Sequence, residues 1–175
     1  MRKQFCASLA QASFHTAWVD SERVYLQSAA IVEHLAKTLG RFQGADPTTR
    51  QAMREWLYWD VDVMFPPIFN CYGVQLGQRG LLPIHVEPTI VDYHRRRAEM
   101  ALSVLDSQLP DRNYLCGAAP TIADLFCYGD VAFAELCGFD LHRWTKVVGW
   151  TERVTALSGF KAPFALLAME NAELS

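Results

Sequence analysis

A chain of 175 residues with 51% hydrophobic and 20% charged side chains can bury a real core, as one domain or as one domain plus a fragment of another. Its formal net charge of −3 supplies no field that would gather nucleic acid, and the one basic run, Arg95-Arg96-Arg97, splays into a solvated helix face. No apolar stretch approaches the roughly 18 residues that span a bilayer and Met1-Arg2-Lys3-Gln4 leads into no signal-peptide core, so the expectation is a soluble, cytoplasmic protein with neither membrane nor nucleic acid as partner.

Residues 1–14 hold a short, weakly amphipathic piece with Phe5, Leu9 and Phe14 as its apolar positions. His15 to Val19 reads as a strand, Asp20-Ser21-Glu22 as a tight polar turn and Arg23 to Leu26 as the returning strand. A lone hairpin is marginal in water, so this one must pack on something. Gln27-Ser28 then opens a helix predicted over Ala29–Leu39, with Ser28 as candidate N-cap, Ile31, Val32, Leu35 and Leu39 inward, and Gly40 at its end. From Arg41 to Asp46 polar and glycine residues interrupt the periodicity, which marks a linker and a domain boundary.

Asp46-Pro47 is a cap-and-proline pair that starts a helix through Met53, Trp56, Leu57, Val61 and Met64. It is predicted to be disturbed at Pro66-Pro67, where two nitrogens cannot donate, and to resume through Ile68, Cys71 and Leu76 before Gly77 and Gly80. Pro88 begins another helix, carrying Ala98, Leu102 and Leu105 to a stop at Pro110. The next starts at Pro120-Thr121-Ile122-Ala123-Asp124. Thr121 stands at the N-cap, and the Asp124 carboxylate stands where a capping box places Glu or Gln. Leu125, Phe126, Val131, Phe133 and Leu136 then cover most of its circumference before Gly138, the pattern of a helix enclosed by others. A helix from about Trp144 to Leu157, with Val147, Trp150 and Val154 inward, and a short last turn after Pro163 complete the chain.

Cys6, Cys71, Cys116, Cys127 and Cys137 are odd in number and form no C-x-x-C pair, which suits reduced, buried thiols. His15, His34, His85, His94 and His142 are equally scattered, so no metal site is expected. Thr121 and Asp124 put a hydroxyl and a carboxylate in an apolar setting, a pairing also found in active sites, but a structural N-cap accounts for them better.

Tyr114-Leu115-Cys116-Gly117, the capped Pro120 to Asp124 segment, Gly138-Phe139-Asp140-Leu141, Trp150 and Ser158-Gly159-Phe160 occur in an order that resembles the C-terminal helical domain of cytosolic glutathione S-transferases. Upstream, Val19-Asp20, Val24 and the run from Gln27 to Ala36 resemble the closing part of that family's thioredoxin-like domain. The fold implied is mostly α: a truncated thioredoxin-like ββα part over 1–40, a linker at 41–46 and a glutathione S-transferase-like helical bundle over 47–175.

The resemblance implies that Gln27 and Ser28 bind the γ-glutamyl group of glutathione, a co-substrate whose carboxylate suits a positive helix terminus. Ser28 reads equally well as a plain N-cap. The same resemblance places a hydrophobic substrate pocket between the domains, with Trp56, Tyr58, Trp59, Asp62, Val63 and Phe65 as candidates. Aromatic residues at helical spacing also suit core or subunit interface. The family's catalytic Tyr, Ser or Cys follows a first strand to which nothing here corresponds, so no residue takes its thiolate-activating role. Thr16 stands where the family has a cis-proline, and Cys6 has no helix start or basic neighbour to activate it. Two classes of function follow. One is a glutathione-dependent enzyme acting on a hydrophobic electrophile, with its transferase activity weak or lost, or a specialised enzyme that uses groups such as Tyr58, Asp62 or His94 without glutathione. The other is a non-catalytic binding or assembly module. A homodimer is expected, because a two-stranded sheet leaves edges and an apolar face to cover.

Overall fold

The computed structural model describes residues 17–19, 23–83, 86–109 and 112–162. The segment before residue 15, Cys6, Thr16, the turn at 20–22 and the turn after Pro163 therefore lie outside the described residues. Strands β1 (Ala17–Val19) and β2 (Val24–Leu26) pair antiparallel, with Trp18 opposite Tyr25. The hairpin packs on α1 (Ser28–Leu39), where the Tyr25 ring stacks on His34 with centroids 4.1 Å apart. Gly40 ends α1 with φ 64°, a left-handed conformation that glycine adopts without a Cβ clash.

The start of α1 differs from expectation. Ser28 is not the N-cap but the first helical residue, and the cap position belongs to Gln27, which makes no side-chain cap hydrogen bond. The reason is local. The chain turns out of β2 at Gln27, with φ 70° and ψ 121°, so Ser28 already has helical geometry. The first intrahelical bond runs from Ile31 N–H to Gln27 C=O at 3.0 Å, which places the amides of Ser28, Ala29 and Ala30 ahead of it.

The linker is fixed to the helices on both sides. The Gln43 side-chain amide donates to Ala36 C=O at 3.1 Å, Ile122 N–H donates to Phe42 C=O at 2.9 Å, and Arg50 donates to Gly44 C=O at 3.0 Å. A Cβ on Gly44 would come within 2.5 Å of the Arg50 nitrogen, so only glycine permits this approach of linker to helix. Helix α2 (Pro47–Trp59) follows, with Asp46 accepting from Thr49 N–H at 2.9 Å and from the Thr49 hydroxyl at 2.7 Å.

The break expected at Pro66-Pro67 falls one turn earlier. Residues Asp60–Met64 form a π-helical turn, in which Phe65 N–H donates to Asp60 C=O, and α3 (Phe65–Gln78) continues from it through both prolines. Proline nitrogens at 66 and 67 leave the carbonyls of Asp62 and Val63 without their i+4 donors, and the preceding turn widens to accommodate that loss. Helices α4 (Pro88–Ser107), α5 (Ile122–Leu136) and α6 (Thr145–Thr155) complete the bundle, with a 3₁₀ turn at Leu141–Arg143. Helix α5 is central and packs on α1, α2, α3 and α6. Among the described residues no helix is long and apolar enough to cross a membrane.

A capping box holds the start of α5. Thr121 Oγ1 accepts from Ala123 N–H at 3.3 Å, and Thr121 N–H donates to Asp124 Oδ2 at 2.8 Å. The other carboxylate oxygen, Oδ1, accepts from Leu115 N–H at 2.8 Å and from the Trp150 indole N–H at 2.9 Å, and Asp124 is wholly buried. One side chain thus joins α5, the 112–117 loop and α6. Asp124→Ala would leave those buried donors without acceptors and should cost about 3 kcal/mol or more, against about 1 kcal/mol for an ordinary cap. Urea denaturation measures it, and a loss under about 1 kcal/mol would show that the bundle does not depend on this carboxylate.

Candidate functional site

A cavity of about 890 Å³ opens between α1, α2, α3 and α5, within the range of small-molecule sites. Gln27, Ser28, Ala29 and Ala30 form one wall at the positive end of α1, and Tyr58, Val61, Phe65, Phe69 and Phe126 form an aromatic and aliphatic wall. Glu33 and Arg54 also line it, paired with each other at 2.7 Å. The positive φ of Gln27, sparsely populated for a residue with a Cβ, adds local strain of a kind common at ligand sites.

Of the residues singled out from sequence, Gln27, Ser28, Tyr58 and Phe65 meet in this cavity. Trp56, Trp59 and Val63 are half-buried and pack against the core instead; the two indoles meet edge to face at 5.1 Å. Asp62 is exposed. His94 lies on α4, edge to face with Tyr93 at 5.3 Å, and is not a lining residue. Thr121 and Asp124 serve the cap of α5 and lie outside the cavity lining.

Among the lining residues that sequence reasoning missed are Glu33, Arg54, Phe69, Phe126 and, most buried, Asp60 and Asp130. Asp60 opens the π turn, Asp130 lies on α5, and both line the cavity although they are only 1% and 9% exposed. Burial pushes the Asp60 carboxyl up to about 6, against the opposing pull of hydrogen bonds to Asp130 and Cys127. Burial, then the charge of Asp60, pushes Asp130 up to about 9. One proton between two carboxyls is the arrangement these environments favour near neutral pH. Asp60 Oδ1 is sealed from solvent and has no hydrogen-bond partner. Two signals in the sequence could have found the pair: the double proline that forces a wide turn just upstream, and a carboxylate between the apolar residues of mid-α5.

The cysteines offer no activated thiolate among the described residues. Burial pushes the thiols of Cys71, Cys116, Cys127 and Cys137 up, Cys137 to about 12, and the charges of Asp60 and Asp130 push Cys127 further.

The carboxyl pair makes stability depend on pH. Both pKa values lie above the ordinary 3.8, so between about pH 4 and 9 the folded state binds more protons than the unfolded state, and its stability falls as pH rises. Asp130→Asn removes the group that titrates last. Relative to the wild type it should gain stability steadily from about pH 4 to about 9, measured by denaturant unfolding at each pH. Parallel stability curves for the two proteins would show that the two carboxyls do not share a proton.

Residues 28–153 match the family described as "Glutathione S-transferase, C-terminal domain". The disulfide-bond oxidoreductase YfcG of Escherichia coli (strain K12) is 28% identical over 132 residues, covering 73% of this chain and 57% of that protein. Glutathione S-transferase theta-2 of Mus musculus is 28% identical over 148 residues, covering 80% of this chain and 59% of that one. The chain thus spans less than two thirds of the length of these curated relatives. In three dimensions it is similar to a crystal structure of a glutathione S-transferase from Xanthobacter autotrophicus Py2, with a TM-score of 0.78, 28% identity, and coverage of 90% of this chain and 75% of that one. The chain belongs to the glutathione S-transferase family, with that family's C-terminal domain over residues 28–153.

Proposed function

We propose that this glutathione S-transferase-like protein binds glutathione at Gln27 and Ser28 and a hydrophobic small molecule against Tyr58 and Phe65, in one continuous cleft. The observation that carries the proposal is the cavity itself, which runs from the start of α1 to an aromatic wall on α2, α3 and α5. Ser28 offers a hydroxyl and a backbone N–H ahead of the first intrahelical bond, and the helix dipole favours an anionic carboxylate there. The proposed division of the chain follows the same cleft, with 1–40 supplying the glutathione side, 41–46 the linker and 47–175 the apolar side.

The chemistry proposed is binding, with transferase turnover weak or lost. Burial raises the thiols of all four described cysteines, so none of them is proposed as a thiolate nucleophile. Glutathione at millimolar concentration should shift the backbone NMR signals of Gln27, Ser28 and Ala29, and Ser28→Ala should weaken binding roughly fivefold. Unmoved signals at those residues would overturn the glutathione assignment.

A homodimer, acting in the cytoplasm, belongs to the same proposal. Ile90, Tyr93, Met100 and Val104 are exposed on α4 at spacings of three, four and seven, an apolar stripe that a second copy can cover. Sedimentation equilibrium should report a dimer that Tyr93→Glu with Met100→Glu dissociates. A wild-type monomer at all concentrations would exclude it.

A further inference from the structure

Helix α1 reaches the bundle through α5, and the cavity lies between its first turn and the aromatic wall of Tyr58, Phe65 and Phe69. Its far end is fastened at the linker, by the Gln43 amide on Ala36 C=O and by the bond from Ile122 N–H to Phe42 C=O. On the cavity side, the side-chain tie between α1 and α2 among the described residues is Glu33 with Arg54. Arg54 Nε donates to Glu33 Oε1 at 2.8 Å, and Arg54 Nη2 lies 2.7 Å from the same oxygen. Both residues line the cavity. Each is mounted on a helix that the interior fixes: Ile31 and Ala36 are buried on either side of Glu33, and Met53 and Leu57 on either side of Arg54. The side chains themselves are 36% and 48% exposed, and an ion pair so open to solvent adds little to stability.

We infer that Glu33 and Arg54 form a strut that sets the gap between the Ser28 end of the cleft and its aromatic wall, and so act as positioning residues for a ligand that touches both. Glu33 follows Ser28 by five residues, about 7.5 Å along α1, and Tyr58 follows Arg54 by about one helical turn. The strut therefore stands close to the contact groups on either side. A ligand held at Ser28 alone uses only α1 and is indifferent to the gap. One that also reaches Tyr58 and Phe65 must match it, because a radial gap of about 0.5–1 Å forfeits roughly a quarter to a half of a dispersion contact. Removing the pair leaves α1 attached at α5 and at the linker, and lets its cavity side vary in distance from α2.

The inference rests on the proposed function, in which glutathione and an apolar group share one cleft. The test is isothermal titration calorimetry of the full chain with glutathione and with S-hexylglutathione, whose alkyl chain extends from the thiol toward the aromatic wall. The hexyl compound should bind the wild type at least about tenfold more tightly. Glu33→Ala and Arg54→Met, shown folded by circular dichroism, should each leave glutathione affinity within about twofold and cut the hexyl advantage about threefold. The reversed pair, Glu33→Arg with Arg54→Glu, should restore that advantage, which a role in stability alone does not predict. A hexyl advantage unchanged in both single variants, or a loss that the reversed pair does not repair, would overturn the inference. An equal fall in affinity for both ligands would also overturn it, because the pair would then act at the glutathione end and not on the gap. If glutathione binds and moves the Ser28 signals while the variants keep the full hexyl advantage, only the strut falls. If neither ligand binds the wild type, the glutathione assignment falls and the strut with it.

Discussion

The Asp124 carboxylate is the constraint on which the rest of the fold depends. It accepts from Leu115 N–H, Thr121 N–H and the Trp150 indole, and so fixes the start of α5, the loop before it and the facing surface of α6 at once. Each of those donors lies where water does not reach, and losing the acceptor would strand them together. Because α5 touches α1, α2, α3 and α6, fixing its first turn sets the position of everything packed against it. The linker is held by the same turn, through Ile122 N–H and the Phe42 carbonyl.

Six residues along, α5 has turned by about 600°, so Asp130 points roughly 120° away from Asp124. One carboxylate faces α6 and the other faces the cavity beside the π turn. The two differ in how they are satisfied. Asp124 is surrounded by donors, whereas Asp130 meets a second carboxyl, and Asp60 carries an oxygen with no partner. A satisfied buried carboxylate holds structure, and an unsatisfied one lining a cavity is where ligand chemistry is to be sought. The π turn makes the second case. Without the wider turn demanded by Pro66 and Pro67, Asp60 would follow ordinary α-helical register from α2 and would not open an i to i+5 bonded segment beneath the cavity.

Local signals were legible in the sequence, and tertiary ones were not. The antiparallel pairing of 17–19 with 24–26, the cap and proline at Asp46-Pro47, and the box at Thr121 and Asp124 each depend on residues within a few positions, and each could be read directly. Ser28 was misplaced by one position because the backbone turn at Gln27, a positive φ on a residue with a Cβ, has no sequence signature. The cavity wall was only half legible for a similar reason. Helical spacing puts Trp56 and Trp59 near Tyr58, but which of these aromatics turns inward depends on how α2 lies against the other helices. Here the indoles go to the core, and Tyr58 remains 67% exposed at the cavity edge. Phe126 and Asp130 lie some 70 residues away from Tyr58 and Asp60, so no local pattern could have joined them.

The cavity carries polar groups of opposite sign. At Ser28 the backbone amides and the end of α1 present partial positive charge, and at Asp60 and Asp130 the floor presents a shared negative one. Among the described residues the full ion pair on the wall, Glu33 with Arg54, is internally neutral. Electrostatics therefore select by position within the cleft. Anionic groups belong beside the start of α1, and hydrocarbon against the aromatic wall.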